Sequence, residues 1–396
     1  MEWKEVRLGD VCSRVCSGGT PKSTNLSYYG GEIPWLNTKE IDFNRIYSTE
    51  KTITDSGLNN SSAKWIVPNT VTVAMYGATA GKSCIVKVPM TTNQACCNLT
   101  INDEVADYEF VYYSLKNDYT TLASLANGGA QQNLNAQIIK DYVLKMPSLA
   151  DQRRIASILS SLDRKIELNN KINDDLEEMA QAIFKNWFVD FEPFKDSKFV
   201  DSELGMIPEG WKVGSPYEYV KVVYGAPYKS AKFNDNGEGL PLIRIRDLKD
   251  CNPQFYTPEI LPQTEYVNMG DIVAGMDAEF VPHIWKGNTG LLNQRVCKLM
   301  PQQTSISNLF VLYLMKPELE FVQSYKTGTT VSHLGKADID KFVVVLPPLK
   351  VVEECSKILD SILQRIKNIS AESRTLSLLR DTLLPRLMSG EIEVPE

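Results

Sequence analysis

Gly77-Ala78-Thr79-Ala80-Gly81-Lys82-Ser83 has the composition of a phosphate-binding loop, with glycines followed by lysine and serine. It is one residue short between the glycines, and the corresponding segment of the second half, Gly275-Met276-Asp277-Ala278-Glu279, has no lysine. A turn that brings backbone near a nucleic acid fits better than a nucleotide site. Asn252-Pro253-Gln254-Phe255 has the outline of the loop with which amino-methyltransferases hold a target base, but its third position is wrong. No Gly-rich turn of the kind that holds a methyl donor accompanies it. General acid–base and nucleophilic catalysis have little to draw on, because the histidines are only His283 and His333 and no arrangement singles out a pair of carboxylates. The eight cysteines (Cys12, Cys16, Cys84, Cys96, Cys97, Cys251, Cys297, Cys355) are scattered and lack the paired CxxC spacing of a zinc site. Buried thiols are expected, with neither metal nor disulfide staples. The residue types point to binding rather than catalysis.

The elements that position these residues are duplicated. From residue 93 to about 183 the sequence returns at an offset of 200 without a gap. Asn93-Gln94 and Leu99 recur as Asn293-Gln294 and Leu299, and Phe110-Val111, Tyr113 and Lys116 as Phe310-Val311, Tyr313 and Lys316. Gly128, Leu134, Pro147 and Leu149 recur as Gly328, Leu334, Pro347 and Leu349. Earlier landmarks recur at shifted spacing, among them Pro34 as Pro241 and Glu40-Ile41 as Asp247-Leu248. Each unit opens with short β-like runs, such as Thr70–Met75 and Asp271–Ala274, between Gly, Pro and Asn turns. Phe110–Lys116 and Phe310–Lys316 read as short helices.

A long helix is expected after Pro147 and again after Pro347. In the first, Ile155, Leu162, Leu176 and Ile183 keep a seven-residue register, joined by Leu159 and Ile166. In the second, Cys355, Ile362, Ile369, Leu376 and Leu383 do the same, joined by Leu359 and Ile366. Sustained heptads argue for coiled-coil pairing, and roughly 40 residues at ~1.5 Å rise make a rod of about 60 Å. Pro385 and Gly390 mark the end of the second helix. Asn169, Asn170 and Asn173 fall near the middle of the first, either to set register or as a solvated stretch. The aromatic group Phe184, Trp187, Phe188 and Phe191 suits a partner anchor or the core where the helix meets its own domains. The expected class is α+β: similar globular domains over residues 1–147 and 209–347, helical regions over 148–190 and 348–391, and a linker over 191–208. The helices fold back as an antiparallel intramolecular pair.

This pattern resembles the specificity subunits of Type I restriction–modification systems across essentially the whole chain. The residues that carry the resemblance are SGGTPKS, YYGGEIPWLNTKEI, GATAGKS and TTNQA in the first domain, then PSLADQRRIASILSSLDRKIELNN and FKNWFVDFEPF. The second unit adds DSELGMIPEGW, PPLKVVEECSKIL and LLPRLMSGEIEV. The resemblance implies two target-recognition domains, each reading one half of an interrupted site in double-stranded DNA. It implies helices that set the half-site spacing and dock two methyltransferase subunits, with motor–nuclease subunits joining for restriction. S-adenosylmethionine, ATP and magnesium would then belong to the partners and not to this chain. One departure stands out: Asp151-Gln152 follows the first helix-opening proline, but Val351-Val352 follows the second.

Base edges are read by Arg or Lys on guanine, Asn or Gln on adenine, and Asp or Glu on cytosine, while basic and hydroxyl groups take phosphate. In the first domain the candidates are Thr20, Lys22, Ser23, Asn37, Lys39, Tyr76, Thr79, Lys82, Gln131, Gln132 and Asn133. In the second they are Tyr228, Lys229, Arg244, Arg246, Asp277 and His333. Arg244 and Arg246 alternate in LIRIRDL, so a strand there would turn both to one face. Asn93-Gln94 and Asn293-Gln294 recur in both copies, which favours a structural role in satisfying loop backbone.

Net charge is −7 and no segment is basic overall, so any DNA surface is a local patch or is shared with a more basic partner. MEWKEVRLGD lacks a signal-peptide core and no run is apolar enough to span a membrane, which places the chain in the cytoplasm. The competing readings are a self-contained DNA methyltransferase or nuclease, a coiled-coil adaptor without a DNA role, and an inactive copy of the specificity subunit.

Overall fold

Short apolar runs bounded by turn residues make the strands of both globular halves, and the two halves use the same registers. The computed structural model describes residues 2–126, 133–326 and 333–394. In the first half, Cys96–Ile101 lies between Cys12–Ser17 and Val71–Ala74 in a five-stranded sheet, with Leu99 opposite both Val15 and Val71. In the second, Val296–Pro301 lies between Val220–Tyr224 and Ile272–Gly275, with Leu299 opposite both Val222 and Ile272. A second sheet in each half contains one parallel pair, Trp35–Leu36 beside Thr91–Thr92 and Leu242–Ile243 beside Leu291–Leu292. The repeat seen in the sequence is therefore a repeat of strand pairing.

The helix Tyr108–Asn117 is capped by Asp107, whose carboxylate accepts from the Phe110 N–H at 2.9 Å. Its counterpart does not stop at Lys316 as expected but runs Asn308–Lys326 through Pro317. The first copy breaks where Asp118 ends one helix and begins the next, Tyr119–Ser124. The long helices span Leu149–Phe188 and Leu349–Met388. Pro385 lies inside the second helix rather than at its end. Proline there removes the N–H that would have bonded to the Asp381 carbonyl, and the helix ends within one further turn. Gly390 then leaves the helix in the left-handed region at φ +75°.

Contacts divide the chain into two compact units that cut across both long helices: Met1–Lys165 with Leu376–Glu396, and Ile166–Thr375. In the first unit Ile155, Ala156 and Leu159 share a core with Leu384, Leu387 and Met388, and with Phe110 and Tyr113 from the globular half. In the second unit Leu359, Ile362 and Ile366 share a core with Ala180, Phe184, Phe188 and Phe310. The aromatic group of the first helix is thus core. Phe184 and Phe188 are buried, and Phe191 meets Trp211 edge-on with ring centroids 5.3 Å apart.

The helical seam departs from a continuous apolar stripe. Ile155, Leu159, Leu359, Ile362, Ile366 and Ile369 are buried, whereas Leu162, Ile166, Leu176, Ile183, Leu376 and Leu383 are only half-buried. An α-helix drifts off a strict heptad, and here each helix divides its apolar face between the other helix and a globular core. In the second unit the seam is filled by Asn169 and Asn173, at 1% and 3% exposure. Asn169 donates to Glu372 at 2.9 Å and Asn173 to Ser370 at 3.1 Å, an antiparallel order. These asparagines are interior, not solvated; Asn170 alone faces water.

In the first unit the helices are joined by charge. Asp163 accepts from Arg380 at 2.7 Å and from the Tyr113 hydroxyl at 2.5 Å, and Arg45 stands 3.6 Å away while reaching Glu109 at 3.3 Å. At the repeat-equivalent position the second unit has the core residue Leu363. Burial by itself would raise the Asp163 carboxyl, but the hydrogen bonds from Arg380 and Tyr113 and the nearby Lys116 outweigh it and hold the group below the ordinary aspartate range. A carboxyl depressed in the folded state contributes stability above its unfolded pKa and loses it as pH falls through the folded value. Removing it leaves two guanidinium groups short of a buried partner. Asp163→Ala is expected to cost about 3 kcal/mol in urea unfolding at pH 7. The gap from wild type should shrink progressively below about pH 4.

Candidate nucleic-acid interface

One end of the first globular half gathers five short segments. Gly18 packs so closely on the turn after Thr92 that a Cβ there would lie 2.1 Å from the Thr92 carbonyl. This approach brings the Thr20 hydroxyl onto Gln94 Oε1. Asn93 is the tie of the cluster: its side chain donates to Asn37 Oδ1 at 3.0 Å and accepts from the Ala95 N–H at 3.1 Å. Asn37 opens a short 3₁₀ turn, Thr38–Glu40, and Glu40 Oε1 accepts from the Asn37 N–H at 3.0 Å. Thr79 fastens the neighbouring turn by donating to the Thr38 carbonyl at 2.8 Å. Tyr76 pairs with Asn133 in an isolated bridge.

The second half rebuilds the backbone ties of this frame. Gly225 approaches Asn293 as Gly18 approaches the turn at Asn93, with 2.1 Å left for a Cβ against the Asn293 carbonyl. Asp247 Oδ2 accepts from the Arg244 N–H at 3.0 Å, where Glu40 serves Asn37. Met276 N donates to the Arg295 carbonyl as Met75 N donates to that of Ala95. Asp277 pairs with His333 in the place of Tyr76 and Asn133. The left-handed residue after each is Gly77 at φ +82° and Ala278 at φ +62°.

On this frame the candidates separate. Lys22, Ser23, Tyr76, Asn133, Lys229, Arg246 and His333 are exposed, and Asp277 is half-exposed. Lys39 is exposed and paired with Glu50 at 2.7 Å, and Lys82 is held on Asp42. Gln131 and Gln132 lie outside the described residues. Tyr228 is misplaced by the sequence reading. It is buried at 7% exposure with its hydroxyl on Thr264 at 3.0 Å, because this position turns into the small core around Leu242 and Leu291.

Arg244 and Arg246 do not share a strand face either. The strand Leu240–Ile243 ends before them and Ile245–Asp247 coils into a 3₁₀ turn. Arg244 then stacks on Phe255 at 4.3 Å and pairs with Asp247, while Arg246 points to water. Phe255, the last residue of Asn252-Pro253-Gln254-Phe255, is therefore committed to packing. Gly77–Thr79 is a 3₁₀ turn in an antiparallel hairpin, not the strand-to-helix loop that cradles a nucleotide.

Sequence reasoning missed Arg295. It stands beside the recurring Asn293-Gln294 at a position where the first copy has Ala95, and that unlikeness was the available signal. The cysteines are buried or half-buried, and burial pushes the Cys12, Cys97, Cys297 and Cys355 thiols up to about 12.

The architecture defines a class: a duplicated α+β protein, each copy carrying a polar loop cluster on a common frame, combined with long antiparallel helices. Residues 1–178 and 208–376 match the family described as Type I restriction modification DNA specificity domain. The chain is 28% identical over 427 residues to the Type I restriction enzyme MjaIX specificity subunit of Methanocaldococcus jannaschii, covering 100% of this chain and 94% of that one. It is 21% identical to the HindI specificity subunit of Haemophilus influenzae, covering 99% and 100%. The crystal structure of a Type I S subunit from M. genitalium shares the fold at TM-score 0.55 and 16% identity, over 98% of this chain and 96% of that one. The chain belongs to the Type I restriction–modification specificity family, as the non-catalytic subunit. No helix among the described residues is long and apolar enough to cross a membrane.

Asn93 is assigned a structural task by its bonds. Asn93→Ala leaves the Ala95 N–H and the Asn37 side chain without it. A loss of about 1–2 kcal/mol is expected in chemical unfolding. Gln94→Ala, exposed in the same turn, should cost under about 0.5 kcal/mol.

Proposed function

We propose that each globular half reads one half of an interrupted, asymmetric site in double-stranded DNA, through the polar loop cluster at its end. One observation carries this reading: a shared backbone frame presents unlike side chains. Asn37, Tyr76, Ala95 and Asn133 in the first copy are replaced by Arg244, Asp277, Arg295 and His333 in the second. A common frame with different donors and acceptors is what two different half-sites require. Lys22 and Lys229, exposed in both copies, suit phosphate in either half.

Family membership supports the remaining parts of the reading. The long helices set the half-site spacing and dock two methyltransferase subunits, and motor–nuclease subunits join for restriction. S-adenosylmethionine, ATP and magnesium act on those partners, in the cytoplasm with the DNA. The net charge of −7 suits this division, since partners supply the bulk positive charge while this chain supplies readout.

The test is a genome-wide methylation map of a methylation-free host that expresses the chain with its methyltransferase subunit. A methylated motif with two short defined halves and a fixed gap, lost when this chain is omitted, is the expected outcome. A stable complex that leaves methylation unaltered would instead identify an inactive copy.

A further inference from the structure

We infer that Arg295 is a guanine-reading side chain of the second domain, presented for that task by Asp277 and His333. The inference rests on the half-site reading above and deepens it to a single residue and base.

The three residues come from separate parts of the chain and meet at the open end of the frame. Arg295 Nε stands 3.2 Å from Asp277 Oδ2. The other oxygen of that carboxylate, Oδ1, is 2.7 Å from His333 Nδ1. Arg295 Nη1 lies 3.5 Å from the same His333 nitrogen. When Nδ1 carries the proton it donates to Asp277, so it has no lone pair left to accept from Arg295. The terminal nitrogens of the guanidinium then remain free of the buttress, and they form the fork that matches guanine O6 and N7.

Backbone bonds hold each member of the group. Arg295 sits in a turn tied on both sides, with its carbonyl accepting from Met276 N at 2.9 Å and Gln294 N donating to Ala226 at 3.0 Å. Asp277 and His333 are themselves bridge partners. The side chain of Arg295 is still 55% exposed and that of His333 45%. Ion pairs this open contribute little to folding, so stability does not account for the group.

Presentation to a ligand does account for it. A free arginine loses much rotamer entropy when it binds, and a carboxylate on Nε removes part of that loss beforehand. The first domain keeps the frame but holds Ala95, Tyr76 and Asn133 there, so the arginine belongs to one half-site only. Arg244, the other framed arginine of this domain, is already committed to Phe255 and Asp247.

The experiment compares methylation motifs of the complete chain with its methyltransferase subunit, for wild type, Arg295→Ala, Arg295→Lys and Asp277→Asn. In Arg295→Ala, discrimination at a single G·C pair of one half-site should fall about ten- to hundredfold, with the other half-site unchanged. Arg295→Lys should retain part of the preference. Asp277→Asn, acting through positioning, should relax the same pair to a smaller degree. An Arg295→Ala complex that methylates with unaltered base preference would overturn the assignment while leaving the half-site reading intact. Uniform weakening across all positions, with a lower salt dependence of binding, would overturn it in favour of a phosphate contact. A wild-type complex that yields no bipartite motif would remove the half-site reading and this assignment together.

Discussion

The core of the first globular half is closed by the far end of the chain. Leu384, Leu387, Met388 and Val394 are buried among Leu8, Phe110, Tyr113 and Leu144, and a Cβ on Gly390 would fall 2.7 Å from the Trp3 ring nitrogen. At about 25 cal/mol per Å² of apolar area, four such side chains represent several kcal/mol that the domain lacks until the end of the second long helix and the segment after it arrive. The second unit has the same dependence in reverse, taking Ala180, Phe184 and Phe188 from the first long helix. Neither reading surface is therefore supported by its own local sequence alone. Fixing loops for base readout needs a rigid frame, and here the frame includes helix segments remote in the chain.

The polar seam between the helices is the counterpart of that apolar closure. Leucine at Asn169 and Asn173 would bury more apolar surface, but the asparagines name their partners. Asn169 requires Glu372 and Asn173 requires Ser370, and a slip by one turn would leave both amides unpaired in the interior. In the first unit Asp163 and Arg380 enforce register more strongly, because a slip there strands buried charges. Apolar heptads tolerate sliding, and these polar contacts do not. For helices whose segments must meet two different cores in register, that intolerance is a property worth some stability.

How much of this could be read beforehand varies with its physical origin. The repeat was legible because it is a repeat of strand pairing: Leu99 and Leu299 recur since both sit opposite apolar partners on either side. The long helices were legible from heptads, but not the division of their faces, since a heptad does not say which neighbour a leucine meets. Leu176 and Leu383 pack on globular cores rather than lining a pure seam. In the site, Tyr228 looked like a loop residue because only the tertiary fold turns it inward. LIRIRDL looked like a strand because nothing local announces that Asp247 will cap Arg244 and coil the chain. Arg295 was overlooked for the opposite reason. Attention to what recurs favours the frame, and Arg295 does not recur.

That last distinction bears on why an acidic chain can read DNA. Non-specific attraction scales with the number of phosphates neutralised, whereas specificity comes from a few correctly placed forks and amides. Several lysines near the frame are already neutralised locally, Lys39 on Glu50 and Lys82 on Asp42. Lys232 is likewise held on Glu259. Such pairs lower the attraction to arbitrary sequence without touching the groups that discriminate. In a reader that works beside partners able to grip the backbone, surplus positive charge would add affinity for every site equally and so dilute the difference between right and wrong ones. An acidic balance with locally paired lysines therefore fits a chain selected for discrimination rather than for bulk attraction to phosphate.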